Sequence, residues 1–185
     1  LIINMNQNKQ IGLLSLPVFV AALGYFVDVY DLLLFTIVRQ TSVMSIGSTA
    51  ETIIVDSAHI INWQMSGLLI GGILWGVLGD KKGRLKVLFG SILLYSVANI
   101  LTSFVQNVDQ YAYCRFIGGI GLAGELGAGI TLVSEMLPKH KRGIGTSMVA
   151  GIGLFGAVFA YFTFKYTNDW RLCYQIGGVL GFFLL

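Results

Sequence analysis

Two apolar runs, Trp63 to Gly79 and Val87 to Val105, are joined by the short charged link Asp80-Lys81-Lys82-Gly83-Arg84-Leu85-Lys86. Each run is close to the roughly 20 residues that cross a bilayer as a helix. So short a link turns the second run back along the first, and the pair reads as a membrane hairpin. The same alternation continues along the chain. Apolar stretches predict helices at Ile11–Val38, Ile60–Gly79, Lys86–Val105, Tyr111–Leu137, Gly143–Lys165 and from Trp170 onward. Composition agrees: 55% of residues are hydrophobic and 11% charged, against about 25% charged in a soluble domain. The expected fold is an all-α membrane protein, a six-transmembrane-helix bundle forming one domain over residues 1–185. Its longest connection would run from Arg39 to His59, and Thr52–Val55 within it is too short to span.

Charge sets the expected orientation. With the N-terminus in the cytoplasm, the inner segments hold Lys9, Lys81, Lys82, Arg84, Lys86, Lys139, Lys141 and Arg142, leaving Arg39, Arg115, Lys165 and Arg171 elsewhere. An excess of Lys and Arg on the cytoplasmic side is the rule for inner-membrane proteins. A nucleic-acid role would need a basic face on a soluble surface, and here the basic residues occupy short turns, so no nucleic-acid partner is expected. The first apolar segment is too long for a secretory signal and lacks a small-residue cleavage site. Cys114 and Cys173 make no disulfide framework. No metal-ligand spacing, cofactor motif or nucleophile constellation is present, so no cofactor is expected and the chain does not read as an enzyme.

Glycine is used heavily, at 24 positions. Gly67/Gly71, Gly72/Gly76 and Gly177/Gly181 have the four-residue spacing that lets helix backbones approach. Gly118, Gly121, Gly124 and Gly127 recur every third residue and make a thin strip along the fourth helix. The strip reads as a packing face, and it also leaves room for rocking or for a substrate. Pro17 is a candidate kink in the first helix.

Ionisable groups inside a bilayer are costly, and they face partners or aqueous cavities. Asp28, Asp31, Arg115 and Glu125 fall within the predicted spans, and Glu135 lies at the end of the fourth. At about 1.5 Å of rise per residue, Asp28 lies roughly 15 Å and Asp31 about 10 Å from the outer end of the first helix. On the same basis Arg115 lies about 6 Å and Glu125 about 21 Å into the fourth. Asp31 and Arg115 would meet if the two helices adjoin, either as a fixed structural pair or as a working one. Asp28 and Glu125 would be the deep carboxylates, with no cation evident for either. A carboxylate in a low-dielectric site favours its neutral form and can take up and release a proton.

The order of these residues resembles the major facilitator superfamily. Gly76, Leu78, Asp80, Lys81, Gly83 and Arg84 are similar to its loop motif G-x-L-x-D-[RK]-x-G-R, with Lys86 close behind. Arg115, Gly119, Gly121, Gly124 and Glu125, followed by Glu135, Pro138, Arg142 and Gly143, resemble a motif shared by sugar porters and by proton symporters of organic acids and zwitterions. Ala123 stands where that family often has glycine. Gly24-Tyr25-Phe26-Val27-Asp28-Val29-Tyr30-Asp31 is similar to the first helix of phosphate:proton and metabolite:proton symporters. Gly124-Glu125-Leu126-Gly127 departs from the phosphate carriers' G-G-D-Y-P.

The resemblance implies the N-terminal half of a twelve-helix transporter. Its first and fourth helices would line a substrate cavity. Asp28, Asp31, Arg115 and Glu125 would then serve proton coupling and substrate binding. Gly76, Asp80, Gly83, Arg84, Lys86, Glu135 and Arg142 would form a cytoplasmic gate. The expected function is proton-coupled symport of a small polar solute across the inner membrane, with organic anions and zwitterions ahead of sugars and phosphate. The expected partners are that small-molecule substrate, protons, the lipid bilayer, and the C-terminal half of the same transporter or a second copy to complete the cavity. The chain opens on Leu1 and stops at Leu185 within an apolar run, which reads as a piece of a longer transporter. Two alternatives stand beside this one: a proton-driven exporter of drugs or siderophores, and a half-size membrane scaffold or dimer subunit that transports nothing alone.

Overall fold

Among the described residues there are six helices: α1 (Leu16–Ser45), α2 (Ile53–Lys82), α3 (Arg84–Thr102), α4 (Val108–Met136), α5 (Arg142–Thr167) and α6 (Trp170–Phe183). The computed structural model describes residues 16–185, with the side chains of all of these except 16, 17, 84, 85 and 126–136. Among the described residues there is no strand. The expected start of the first helix at Ile11 and the cytoplasmic placement of Lys9 lie outside them, as does the side chain of Pro17.

The largest departure from the sequence reading is at the Arg39–His59 connection. The polar run after Val38 stays helical because one face still packs: Val38, Ser42 and Val43 are buried while Arg39, Gln40 and Thr41 face outward. The stop comes at Gly47, whose φ of +108° suits glycine. There the N–H of Ser48 donates to the Val43 carbonyl (3.3 Å) and that of Gly47 to the Met44 carbonyl (3.3 Å). This is the paired-bond ending that closes many helices on a left-handed glycine. Helix α2 then starts early. The Thr49 N–H donates to Thr52 Oγ1 (3.1 Å) and the Thr52 N–H to Thr49 Oγ1 (3.3 Å), a reciprocal cap. The connection shrinks to residues 46–52, and Ile53–Val55 becomes the first turn of α2.

The charged link also contracts. Asp80, Lys81 and Lys82 belong to the last turn of α2, and α3 begins at Arg84, so Gly83 alone joins the two helices. Its N–H donates to the Gly79 carbonyl at 3.0 Å and its φ is +90°. An L side chain there would be strained, which accounts for the motif glycine.

The helices pair by interior faces more than by sequence order. The most extensive pairings are α2 with α4, α1 with α5, and α3 with α4. Exchanging helices 1–3 for 4–6 maps the α1/α5 pair onto α4/α2, the relation expected of an inverted repeat. Glycines bring both pairs together. A Cβ at Gly67 or Gly119 would strike the carbonyl oxygen of Phe116 or Gln64 across the α2/α4 contact. One at Gly156 would strike the Phe26 carbonyl across α1/α5. The three-residue strip of α4 turns Gly118, Gly121 and Gly124 toward Ala98, Tyr95 and Ser91 of α3. It is therefore a packing face.

The polarity is inside out for a water-soluble bundle. Leu69, Ile73 and Val77 of α2 and Leu154 and Phe155 of α5 are exposed, while Asp28, Asp31, Arg115 and Glu125 are buried. By length and composition, Val18–Ser45, Ile53–Lys82 and Arg142–Thr167 are each long and apolar enough to cross a membrane.

The glycine contacts predict a contrast between two neighbouring positions on α2. Gly67→Ala must push α2 from the α4 backbone and should lower stability by about 1–3 kcal/mol. Gly72→Ala, where an added Cβ meets nothing within 4 Å, should be neutral or slightly stabilising. Thermal unfolding of the detergent-solubilised variants reads the difference, and equal losses would remove close approach as the reason for Gly67.

Candidate functional site

Burial decides where the charge chemistry lies. Asp28 and Asp31 have no exposed surface, and Arg115 and Glu125 retain 1% and 2%. Three helices bring them together: α1 carries the two aspartates one turn apart, α4 carries Arg115 and Glu125, and α3 crosses beside both. The depths change with the longer helices. Asp28 and Glu125 now stand equally far, about 26 Å, from the Ser45 end of α1 and the Val108 end of α4.

Arg115 meets Asp31. Its Nη1 lies 2.9 Å from Oδ1 and 3.1 Å from Oδ2, and Nη2 donates to the Asp31 carbonyl at 3.3 Å. Asn99 of α3 offers its Oδ1 at 3.4 Å. The rings of Tyr174 and Phe35 flank the guanidinium at 5.4 and 6.0 Å from Cζ, distances at which a ring face attracts a cation. Beyond it the Tyr111 and Tyr174 hydroxyls lie 2.8 Å apart. The pair is thus dry, doubly contacted and held by four helices.

Asp28 and Glu125 form the second part of the layer. The Glu125 carboxyl lies over Gly24, where an added Cβ would collide with Oε1. Asp28 follows Gly24 by one turn on the same helix, so the two carboxyls are close neighbours. No hydrogen-bond partner reaches any of their oxygens among the described residues. The Tyr95 hydroxyl, Asn99 Nδ2 and Arg115 Nε are buried and likewise unpartnered.

Sequence reasoning weighed only groups charged at neutral pH and so missed Tyr95, Asn99 and Tyr174. The signal was present: Tyr95 and Asn99 are polar residues one helical turn apart inside the apolar run Val87–Val105, which puts them on one face of α3.

The other group expected to act together lies at the surface in its described members. Gly76, Asp80, Gly83, Lys86 and Arg142 are all exposed, and an added Cβ at Gly76 meets nothing within 4 Å. Asp80 has no ion-pair partner among the described residues. Arg142 Nε donates to the Leu137 carbonyl at 3.0 Å, closing the turn between α4 and α5. The side chains of Arg84 and Glu135 lie outside the described residues. The described pockets lie on α2, one along Ile70, Ile73, Leu74, Val77 and Leu78 and one beside Trp63, and neither reaches the buried charges.

Residues 19–185 match the sequence profile of the Major Facilitator Superfamily. The chain belongs to that superfamily. A protein of Haemophilus influenzae named for metabolite transport is 32% identical over 160 residues, covering 85% of this chain and 38% of its own length. The niacin transporter NiaP of Acinetobacter baylyi is 31% identical over 164 residues, covering 86% and 36%. The fold is shared with the inward-open xylose transporter XylE of E. coli, with a TM-score of 0.80 at 19% identity over 91% of this chain and 45% of that one. The chain thus spans less than half the length of each of these proteins. It is a multi-pass membrane chain of a transporter superfamily.

The ion pair yields a measurable asymmetry. Arg115→Leu leaves Asp31 buried and unpaired and should cost roughly 3–5 kcal/mol of stability. Adding Asp31→Asn to Arg115→Leu should recover part of that loss. A double variant as destabilised as the sum of the two singles would show that the pair is not coupled.

Proposed function

We propose that these helices belong to a proton-coupled symporter of a small polar solute working by alternating access. Organic anions and zwitterions are the leading substrate class, ahead of sugars and phosphate. The observation that carries this reading is the pair of buried, unpartnered carboxyls, Asp28 and Glu125, beside the Arg115–Asp31 ion pair. In a bundle that excludes water, a carboxylate without a donor is tolerable only if it gains a proton or a cation. Protonation at this site therefore changes the charge between helices, which is what a proton-coupled conformational cycle needs.

The relatives support the substrate ranking. One is named for metabolite transport and another for niacin, and XylE is described as a proton:xylose symporter. Nicotinic acid is a small carboxylate, which keeps organic anions first. The exposed Asp80, Gly83, Lys86 and Arg142 fit a charged gate that closes against surfaces outside this bundle, in a C-terminal half or a second copy. The positive-inside arrangement of Lys81, Lys82, Lys86, Lys139 and Lys141 supports a cytoplasmic N-terminus in an inner membrane.

Uptake measured with and without a proton gradient in proteoliposomes tests the assignment. Asp28→Asn and Glu125→Gln should each abolish gradient-driven accumulation while leaving exchange of solute down its own gradient. Retained pH dependence in both would remove the coupling site. Accumulation against the expected direction would instead identify an exporter. Asp80→Asn should slow conformational exchange about tenfold, equivalent to about 1.4 kcal/mol on the barrier, with substrate affinity unchanged. A binding defect with normal exchange would count against the gate.

A further inference from the structure

The four oxygens of Asp28 and Glu125 are the least satisfied group in the interior. All four are sealed from solvent, and no described N–H or O–H bonds to any of them. Yet the two carboxyls adjoin: Glu125 packs over Gly24 of α1, one turn from Asp28. The buried cation near them is committed elsewhere, since Arg115 Nη1 contacts both oxygens of Asp31. The other ionisable groups facing the two carboxyls are Asp31 of α1 and Tyr95 of α3; among the described residues none comes from α2, α5 or α6. Tyr95 packs on Gly121, one turn before Glu125, and its hydroxyl has no partner.

Two ionised carboxylates in this setting would repel each other and lack any donor. The geometry points to a dyad in which Asp28 and Glu125 hold one proton between them, as a single site. A protonated carboxyl supplies the O–H donor that the other carboxylate lacks, so one proton removes both the repulsion and half of the unmet demand. Like-charged carboxyls at close range do not both ionise. The unpartnered donors of this layer, the Tyr95 hydroxyl and Asn99 Nδ2, lie against Gly181 and Gly177 of α6 and bond to neither carboxyl. The proton enters from water and returns to it, with no other group consumed.

This rests on the coupling reading of the same residues, and sharpens it from two separate acids to one site with one proton. Tyr95 stands outside the dyad, since its hydroxyl bonds to neither carboxyl and lies against Gly181 of α6.

Infrared difference spectroscopy on the full chain in lipid nanodiscs at neutral pH tests the dyad, because a protonated buried carboxyl has a carbonyl band that carboxylates lack. Native protein should show one such band, unaffected by sodium. The whole band should vanish in Asp28→Asn and equally in Glu125→Gln. Tyr95→Phe, which removes no bond to either carboxyl, should keep the band. No band in the native chain, half the band surviving in each single variant, or loss of the band on adding sodium would each overturn the proposal. If a carboxyl variant does not fold, the native band and its sodium response still decide. The two readings fail separately: a shared-proton band with pH-independent uptake removes the coupling assignment and leaves the dyad, while pH-driven uptake without the band does the reverse.

Discussion

Four helices meet on the guanidinium of Arg115. Asp31 and Phe35 approach from α1, Asn99 from α3 and Tyr174 from α6, while α4 carries the cation itself. A charge in a bundle that excludes water is costly without partners, so each of those helices is held in register by its contact with the guanidinium. Apolar contacts alone would fix the arrangement weakly, since a lipid tail offers a leucine much the same surroundings as another helix does. The remainder of the interior follows from this anchor. Once α1 and α4 are aligned by the pair, Asp28 and Glu125 are brought against each other, and Tyr95 and Asn99 of α3 close the layer.

How close the helices come is set separately, by glycine. At α2/α4 and α1/α5 the backbones approach so closely that a single added carbon would reach a carbonyl oxygen of the facing helix. These two contacts correspond under exchange of the first three helices for the last three. The ion pair thus supplies specificity and the glycine contacts supply proximity. A repeat related by inversion lets the same short list of contacts serve twice.

Much of this was legible in residue order. Apolar length predicted the helices, and the spacing of Asp31 and Arg115 predicted their meeting. Two kinds of error remain. Helix ends were misplaced where polarity was taken for a loop: Arg39-Gln-Thr-Ser continues α1 because its buried face persists, and the true stop was the glycine at 47. The described residues of the expected gate stay on the surface, where Arg142 donates to the Leu137 carbonyl and Asp80 stands free of ion pairs among the described residues. Motif order records which residues occur together along a chain; it does not record which surface they await. The polar residues of α3 escaped notice because they carry no formal charge, although a buried hydroxyl or amide without a partner is also costly.

The matched depth of Asp28 and Glu125 has an electrical meaning. Both stand the same rise into their helices, about 26 Å from neighbouring ends. In the proposed dyad, a proton passing between two adjoining carboxyls crosses only a small part of the membrane's thickness. The transmembrane potential does about 2.3 kcal/mol of work per elementary charge per 100 mV on motion along the bilayer normal, and none on motion within the plane. Voltage therefore bears mainly on the filling of the site and little on which of the two carboxyls holds the proton.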